Sequence, residues 1–154
     1  MYKCENFKIY ELLDESTFRK YESDDIKMWS FFSDEALKSL DHIRKYFGEP
    51  VIVNTWYNGG DLQLRGARFR DMQYYSETSQ HSVNFNRYGE MIKRCNGFDI
   101  NVIGIDTRRV RESIINNPDK FPYITRVEKA DDQNRLHFDC KKIKSRKRIY
   151  EFEG

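Results

Sequence analysis

Apolar residues recur at helical spacing in the segment that follows Ser33, a residue type that often begins a helix. Four of them lie three or four positions apart: Leu37, Leu40, Ile43 and Phe47. Asp34 and Glu35 occupy the first turn, where acidic side chains are favourable. Gly48 and Pro50 then oppose further helix. The pattern predicts a helix over residues 33–47.

A second helix is predicted after Asp106 or Thr107, either of which can cap its first turn. Three apolar residues would face inward: Val110, Ile114 and Ile115. The run 116–118, which is Asn-Asn-Pro, is expected to stop this helix.

Short apolar or alternating runs predict strands between and after the helices. The predicted strands cover 51–53, 99–103, 123–128 and 136–142, with a half-exposed edge strand near Tyr150 and Phe152. Leu62 to Arg70 can be strand or extended loop, and a turn is predicted at 131–134. Residues 71–98 lack a clean period, which predicts a long functional loop with one helical turn near 90–94. The fold class that follows is α+β, a small antiparallel sheet with flanking helices.

Length and composition predict one domain over residues 1–154. The chain is 38% hydrophobic, 15% aromatic and 34% charged, which suits a modest core that aromatic side chains fill in large part. Its three cysteines are scattered and predict a reducing compartment rather than disulfides. No apolar run resembles a signal peptide or a membrane span, which predicts synthesis in the cytoplasm.

The formal net charge is only +2, so the whole chain presents no strong field for nucleic acid. Basic residues are nevertheless concentrated over 141–148, within a C-terminal strand or tail at about 141–154. Basic tails can bind anionic polymers, but lysines also protect the edges of sheets. The balanced total favours the edge-strand interpretation, and no nucleic-acid partner is expected.

Two of the three histidines lie in segments that also carry an acidic residue, which makes them candidate metal ligands. His81 ends the run Ser-Gln-His, and Asp99 begins a predicted strand. His137 lies in Leu-His-Phe-Asp, where a regular strand puts His137 and Asp139 on one face. Two imidazoles and a carboxylate leave one tetrahedral position open, as catalytic zinc requires. The alternative is that these are ordinary polar residues, since no short fixed ligand motif is present. His42, on the first helix, is interpreted as a surface or boundary residue.

The order of four motifs resembles the zinc D-alanyl-D-alanine carboxypeptidase and L-alanyl-D-glutamate endopeptidase family, whose fold is shared with hedgehog signalling domains. The motifs are the helix before Gly-Glu-Pro-Val at 48–51, Arg-Gly-Ala-Arg at 65–68, Ser-Gln-His at 79–81 with Asp-Ile at 99–100, and Val-Glu at 127–128 followed by His-Phe-Asp at 137–139. They span about residues 33–140. Small phage-encoded members that lack signal peptides are similar in size.

The resemblance implies that His81, Asp99 and His137 hold zinc. It also implies that an arginine, Arg65 or Arg68, receives a substrate carboxylate, which the planar guanidinium fork suits. The alternative for both arginines is a surface ion pair. An acid must move the proton, and Glu128 and Asp132 are the candidates.

Three features of the chain depart from the family pattern: one insertion and two residues. His81 and Asp99 are 18 positions apart (99 − 81), where the family usually has about seven, so an insertion over 82–98 is expected to lie beside the cleft as a lid. Asn134 stands where many members carry an acid, and Arg135 stands where a tryptophan is frequent.

The expected function is zinc-dependent hydrolysis of bacterial cell-wall peptide, with peptidoglycan peptide as the partner and release at lysis or carriage in a phage particle. The alternative, which Asn134 and the insertion favour, is a non-catalytic binding or virion structural protein that retains the fold. The sequence leaves the oligomeric state open.

Overall fold

A computed structural model describes residues 1–129, 134–144 and 149–154 of the chain. Within these ranges the helices are α1 (Glu15–Tyr21), α2 (Asp25–Ser30), α3 (Asp34–Phe47) and α4 (Thr107–Asn116). Short 3-10 turns lie at Ile9–Glu11, Trp56–Asn58 and Pro118–Lys120. The strands are β1 (Val51–Ile52), β2 (Asn84–Phe85), β3 (Met91–Lys93), β4 (Gly97–Val102), β5 (Arg126–Glu128), β6 (Leu136–Asp139) and β7 (Tyr150–Phe152).

Both predicted helices are confirmed, with the predicted caps. The Ser33 hydroxyl accepts a hydrogen bond from the Ala36 N–H at 3.2 Å, and Gly48 ends α3 in the left-handed conformation with φ of 70°. Asp106 accepts from the Arg108 N–H at 2.8 Å at the start of α4. The side chains predicted to face inward do so, and Leu37, Leu40 and Ile43 are fully buried.

Five strands form one sheet in the order β1-β4-β6-β5-β7. The fold is therefore α+β, as predicted, but the sheet is mixed rather than antiparallel, because β7 runs parallel to β5. Strand β6 already pairs with β4 on one side and β5 on the other. The chain that follows β6 has no free edge there for a hairpin, so β7 joins the open edge of β5. That position confirms the predicted edge strand at Tyr150 and Phe152.

A second, two-stranded sheet occupies the segment expected to be loop. Strands β2 and β3 pair as a hairpin, so the helical turn predicted near 90–94 is wrong. The turn between them is set by Gly89, which has φ of 80°, and by Asn86, whose side-chain oxygen accepts from the Tyr88 and Glu90 N–H groups. These local hydrogen bonds fix a hairpin that the apolar pattern does not reveal.

Aromatic side chains fill the space between α3 and the sheet. Phe32 stacks on Phe98 with ring centroids 5.6 Å apart, and Phe98 contacts Phe138 at 6.0 Å. All three are almost fully buried. Trp29 and Phe31 beside them are buried as well. The core thus fixes one face of β4 and β6, and the other face carries polar side chains.

No helix in the described ranges is both long and apolar enough to span a membrane. Residues 145–148 of the basic stretch and residues 130–133, which include most of the turn predicted at 131–134, lie outside the described residues. Asp132 is among them.

Candidate metal centre

The polar face of the sheet brings Asp99 and His137 together. They are directly opposed in the antiparallel pair of β4 and β6. His81 reaches them from the loop before β2, where its carbonyl accepts from the Arg68 N–H at 2.8 Å. His81, Asp99 and His137 are 3%, 3% and 8% exposed, so the three predicted ligands form one buried group.

Three side-chain atoms converge at this group. His81 Nε2 lies 3.2 Å from His137 Nδ1 and 3.3 Å from Asp99 Oδ1, and the last two atoms are 2.9 Å apart. A tetrahedral metal ion with ligand bonds of about 2.0–2.1 Å places its ligand atoms about 3.3 Å apart. The spacing therefore suits one ion bound by all three residues.

The outward nitrogens of both imidazoles are held by acceptors. His81 Nδ1 donates to the Gly66 carbonyl oxygen at 2.9 Å, and His137 Nε2 donates to Asp139 Oδ2 at 3.3 Å. In a neutral imidazole this leaves the lone pair on the other nitrogen, which in each case faces the centre. Two lone pairs and an anionic oxygen then point at one another, an arrangement that a cation stabilises. In the metal-free protein that cation is a proton on His137, whose pKa is raised, and a bound metal ion would take its place. The buried group can bind a metal ion.

Asp139 is itself fixed by a second set of contacts. It is fully buried and accepts from Arg126 at Nε (3.0 Å) and Nη2 (2.6 Å), and from the Lys141 N–H at 3.0 Å. The Arg126 guanidinium lies 4.2 Å from the Phe152 ring centroid, and that ring packs edge-on against His137 at 5.8 Å. Strands β5 and β7 thus hold the orientation of one candidate ligand.

Charge in the centre is strongly coupled. Burial by itself raises the pKa of Asp99, but hydrogen bonds from His137 and His81 outweigh it and hold that pKa well below its usual range. Burial lowers the pKa of His81 and prevails there. Burial also opposes protonation of His137, but its hydrogen bonds to Asp139 and Asp99 prevail and raise its pKa to about 9.

The two candidate arginines differ in their contacts. Arg68 donates through Nε to the Leu64 carbonyl at 2.8 Å and through Nη2 to Asp99 Oδ2 at 3.3 Å. Arg65 is 9% exposed, and its guanidinium makes no hydrogen bond or ion pair within the described residues. Among the described residues the Arg65 guanidinium therefore has no direct partner, whereas Arg68 supports Asp99.

Two cavities meet at the centre. The smaller, of about 260 Å³, is lined by His81, Asp99 and His137 together with Glu128 and Phe152. The larger, of about 990 Å³, contains Arg65 and is called the long cleft below. Arg68, Asp99 and Arg135 line both cavities. The long cleft therefore leads to the candidate ligands.

The remaining sequence candidates are placed unequally. Glu128 lines the small cavity, with Oε2 3.4 Å from Arg135 Nη1. Asp132 lies outside the described residues. Asn134 lines the long cleft, where its Oδ1 accepts from the Thr107 hydroxyl at 2.9 Å. An amide with this partner supplies no proton-accepting carboxylate, so Glu128 is the candidate base that the structure places beside the ligands.

The insertion over 82–98 is not a lid. None of its residues lines either cavity in the part of the chain that the structure describes. Val83 and Cys95 are buried in the core, and Cys95 bridges to Phe32. The expectation failed because the segment carries its own hairpin, which contacts the loop before His81 through Lys93 and Asn96 but lines neither cavity.

Sequence reasoning missed Arg126 and Arg135 and gave Asp139 no role. The alternation of apolar and polar residues in β6 puts Asp139 on the same face as His137, and this was the signal that could have identified Asp139. Arg126 is opposite Asp139 only through the pairing of β5 with β6. Arg135 donates to Asp99 Oδ1 at 2.8 Å, a contact that no sequence motif indicates.

Comparisons of the chain with protein-family models, with curated proteins and with solved structures find no match. The resemblance to zinc peptidases stays a prediction that rests on the order of the four motifs.

Replacing Asp139 by asparagine should weaken metal binding about 10- to 100-fold, the usual effect of losing a group that orients a ligand. The amide removes the anionic acceptor of His137 Nε2 and the anionic partner of Arg126. Metal competition with a chromophoric chelator measures the change. The exposed Asp119→Asn variant is the matched control. Unchanged affinity in Asp139→Asn would show that His137 needs no such support.

Replacing Gly66 by alanine should lower the free energy of unfolding by about 1–3 kcal/mol, as overpacking does. A Cβ at this position would overlap the backbone carbonyl of Leu12. The carbonyl oxygen of Gly66 itself accepts from His81 Nδ1 and orients that imidazole, so metal affinity should fall as well. Denaturant unfolding of chelator-treated protein separates the first effect from metal loss. A variant with the wild-type midpoint and affinity would contradict this close approach.

Proposed function

We propose that this chain is a zinc-dependent peptidase that hydrolyses a peptide bond in bacterial cell-wall peptide. The observation that carries the proposal is the convergence of His81 Nε2, His137 Nδ1 and Asp99 Oδ1 at the spacing of tetrahedral ligands, beside a cavity. Two histidines and one carboxylate with an open fourth position are a common set for catalytic zinc.

Zinc bound here would polarise the scissile carbonyl and lower the pKa of a bound water toward neutrality. Glu128 is the base that takes the proton of the attacking water and returns it to the leaving amine. Its carboxylate lines the cavity that the three ligands line. Asp132 is the second candidate for this role. Arg135, which contacts both Asp99 and Glu128, holds the two carboxylates in fixed relation.

Arg65 binds a carboxylate of the substrate in the long cleft. Its buried guanidinium makes no hydrogen bond or ion pair among the described residues, and the charge of Asp99 alone opposes the cost of its burial, so a ligand carboxylate would add a direct partner. Its own carbonyl accepts from the Asp99 N–H at 3.0 Å, so the carboxylate site is tied to a metal ligand. This connection would position a neighbouring peptide bond toward the metal.

The cell-wall substrate rests on the family resemblance, as does a phage source with release at lysis or carriage in a particle. The motifs at 65–68, 79–81 and 137–139 support it by their order. The chemistry of the site requires only a peptide with a carboxylate near the cleaved bond.

A non-catalytic binding or virion structural protein is the second candidate. Two observations favour it. Asn134 stands in place of an acid and is engaged by Thr107. Arg135 forms ion pairs with both Glu128 and Asp99, which opposes proton transfer by the one and metal binding by the other.

Zinc stoichiometry and cell-wall turnover, measured on the same preparation, separate the candidates. We expect one zinc per chain by elemental mass spectrometry and new peptide termini when purified peptidoglycan is digested. Bound zinc without any new termini across walls of different peptide chemistry would favour the binding protein. A chain without zinc and without turnover would reject the metallopeptidase.

A further inference from the structure

Lys93, on strand β3 of the inserted hairpin, contacts the loop that carries His81. Its ammonium Nζ donates three hydrogen bonds, to the Glu77 carbonyl at 2.7 Å, the Ser79 carbonyl at 2.5 Å and the Ser82 hydroxyl at 2.8 Å. An ammonium group has three donors, and all three are used here. Two of the acceptors precede His81 and one follows it, so a single side chain joins both sides of this loop.

The charge of Lys93 strengthens these contacts. Lys93 forms no ion pair within the described residues, so its ammonium is held by the three neutral oxygens. Hydrogen bonds from a charged donor are about twice as strong as those between neutral groups. Burial lowers the pKa of Lys93, as it does for an ammonium group taken out of water. The three oxygens oppose that cost, and the loop and the side chain therefore stabilise each other.

Backbone hydrogen bonds hold the same loop at two other points. The His81 carbonyl accepts from the Arg68 N–H at 2.8 Å, and the Gln80 carbonyl accepts from the Asn96 N–H at 2.7 Å. Backbone groups are present whatever the residue type, so side-chain substitutions leave these two bonds in place. The contact of Lys93 depends on its side chain alone, and a single substitution removes it.

The position of the loop determines where the His81 imidazole lies. Its Nδ1 donates to the Gly66 carbonyl, and its Nε2 faces Asp99 and His137. A metal ligand has to be held within about 0.5 Å of its productive position by the groups around it. Lys93 lines neither cavity of the metal centre, so it can act on a bound ion only through His81.

We propose that Lys93 is a positioning residue of the metal centre, whose ammonium closes the His81 loop and fixes the imidazole for the ion. The proposal rests on the metal ligands of the proposed function but requires no hydrolysis. It also gives the insertion over 82–98 a role. The hairpin follows His81, returns to hold the loop before it, and leads into β4 with Asp99. The inserted segment thus orients the ligand from which it departs.

The zinc affinity of Lys93→Met tests the proposal, because methionine keeps an apolar stem of similar length but removes the ammonium. Competition with a chromophoric chelator measures the affinity, and urea unfolding of chelator-treated protein measures the stability. Lys120→Met is the matched control for charge, since Lys120 is exposed and lines neither cavity. Ile43→Val is the control for stability, since it removes a methyl group from a fully buried residue of α3.

We expect Lys93→Met to bind zinc about 10- to 100-fold more weakly than the wild type, the usual effect of losing a group that orients a ligand. Lys120→Met should match the wild type in both measurements. Ile43→Val should unfold at a lower urea concentration and keep wild-type zinc affinity. In metal-free Lys93→Met, amide hydrogen exchange should be faster at His81 and Ser82, whose N–H groups form hydrogen bonds within the loop.

Wild-type zinc affinity in Lys93→Met, or an equal loss of affinity in Ile43→Val, would overturn the proposal. If Lys93→Met does not fold, Lys93→Gln retains a shorter donor and should lose affinity in the same direction, and unchanged affinity there would overturn it as well. A wild-type chain that binds no zinc would remove the metal centre and this role together. Zinc binding that depends on Lys93, without hydrolysis of cell-wall peptide, would remove the proposed peptidase and leave the positioning role standing.

Discussion

Replacing His137 by alanine should abolish stoichiometric zinc binding and any hydrolysis together. His137 supplies one of three converging atoms, and its loss leaves one imidazole and one carboxylate to hold the ion. Loss of an orienting group alone costs about 10- to 100-fold in metal affinity, so loss of the ligand itself should exceed about 100-fold. Elemental mass spectrometry after dialysis, with chelator competition, measures the zinc. Release of peptide termini from purified peptidoglycan measures the hydrolysis.

His42 provides the matched control for that substitution. It lies half-buried on α3 and stacks on Tyr123 with ring centroids 5.9 Å apart, on a part of the surface that lines neither cavity of the metal centre. His42→Ala should keep one zinc per chain at wild-type affinity. One tightly bound zinc in His137→Ala would remove this residue from the ligand set, even if activity were lost.

Replacing Glu128 by glutamine should leave zinc bound and reduce turnover about 10²- to 10⁴-fold, the usual contribution of general acid–base catalysis. The amide preserves shape but cannot accept the proton of the attacking water. Glu128 lines the cavity of the ligands without being one of the three converging residues, so zinc content should be unchanged. Steady-state cleavage rates and zinc content of the same sample measure the two effects.

Two further amide variants make that result specific. Glu151→Gln removes the same charge from an exposed residue of β7 and should keep full activity. Glu151 lies opposite Val127 of β5, one residue before Glu128. Asp132→Asn tests the other candidate base. If turnover stops in Asp132→Asn instead, the role belongs to that residue. Full activity in both Glu128→Gln and Asp132→Asn would reject both assignments.

Local signals were enough to predict the helices and the polarity of β6. Ser33 and Gly48 act through hydrogen bonds and backbone conformation within one turn, which the sequence displays directly. Alternation over 136–139 put His137 and Asp139 on one face, and the structure shows them in contact. Both features depend on residues within a few positions of each other.

Convergence of His81 with Asp99 depended on a different kind of reasoning. The two residues are 18 positions apart (99 − 81), and the hairpin between them has no periodic signature. Residue type and motif order indicated the group, and the chain returns because β4 pairs with β6 while the backbone of Arg68 holds the His81 loop. The proximity of His81 to Asp99 therefore depends on contacts that the spacing of the two residues does not reveal.

Pairings between distant strands could not be predicted. The parallel placement of β7 follows from the occupied edges of β6, a property of the whole sheet. Arg126 reaches Asp139 only because β5 lies beside β6. The backbones of Leu13 and Arg65 are joined only through hydrogen bonds to the Asn54 side chain. Each of these contacts joins segments that are far apart in the sequence, and the residue pattern of one segment does not indicate its contact with the other.

Crystallography at the zinc absorption edge shows directly whether these three side chains bind one ion, because the anomalous signal locates the ion without assumption about its ligands. We expect a single strong peak bonded to His81 Nε2, His137 Nδ1 and Asp99 Oδ1, with bonds of about 2.0–2.2 Å and a fourth position open to the small cavity. A peak held by other residues, or well-ordered crystals grown with zinc that show none between these three side chains, would contradict it.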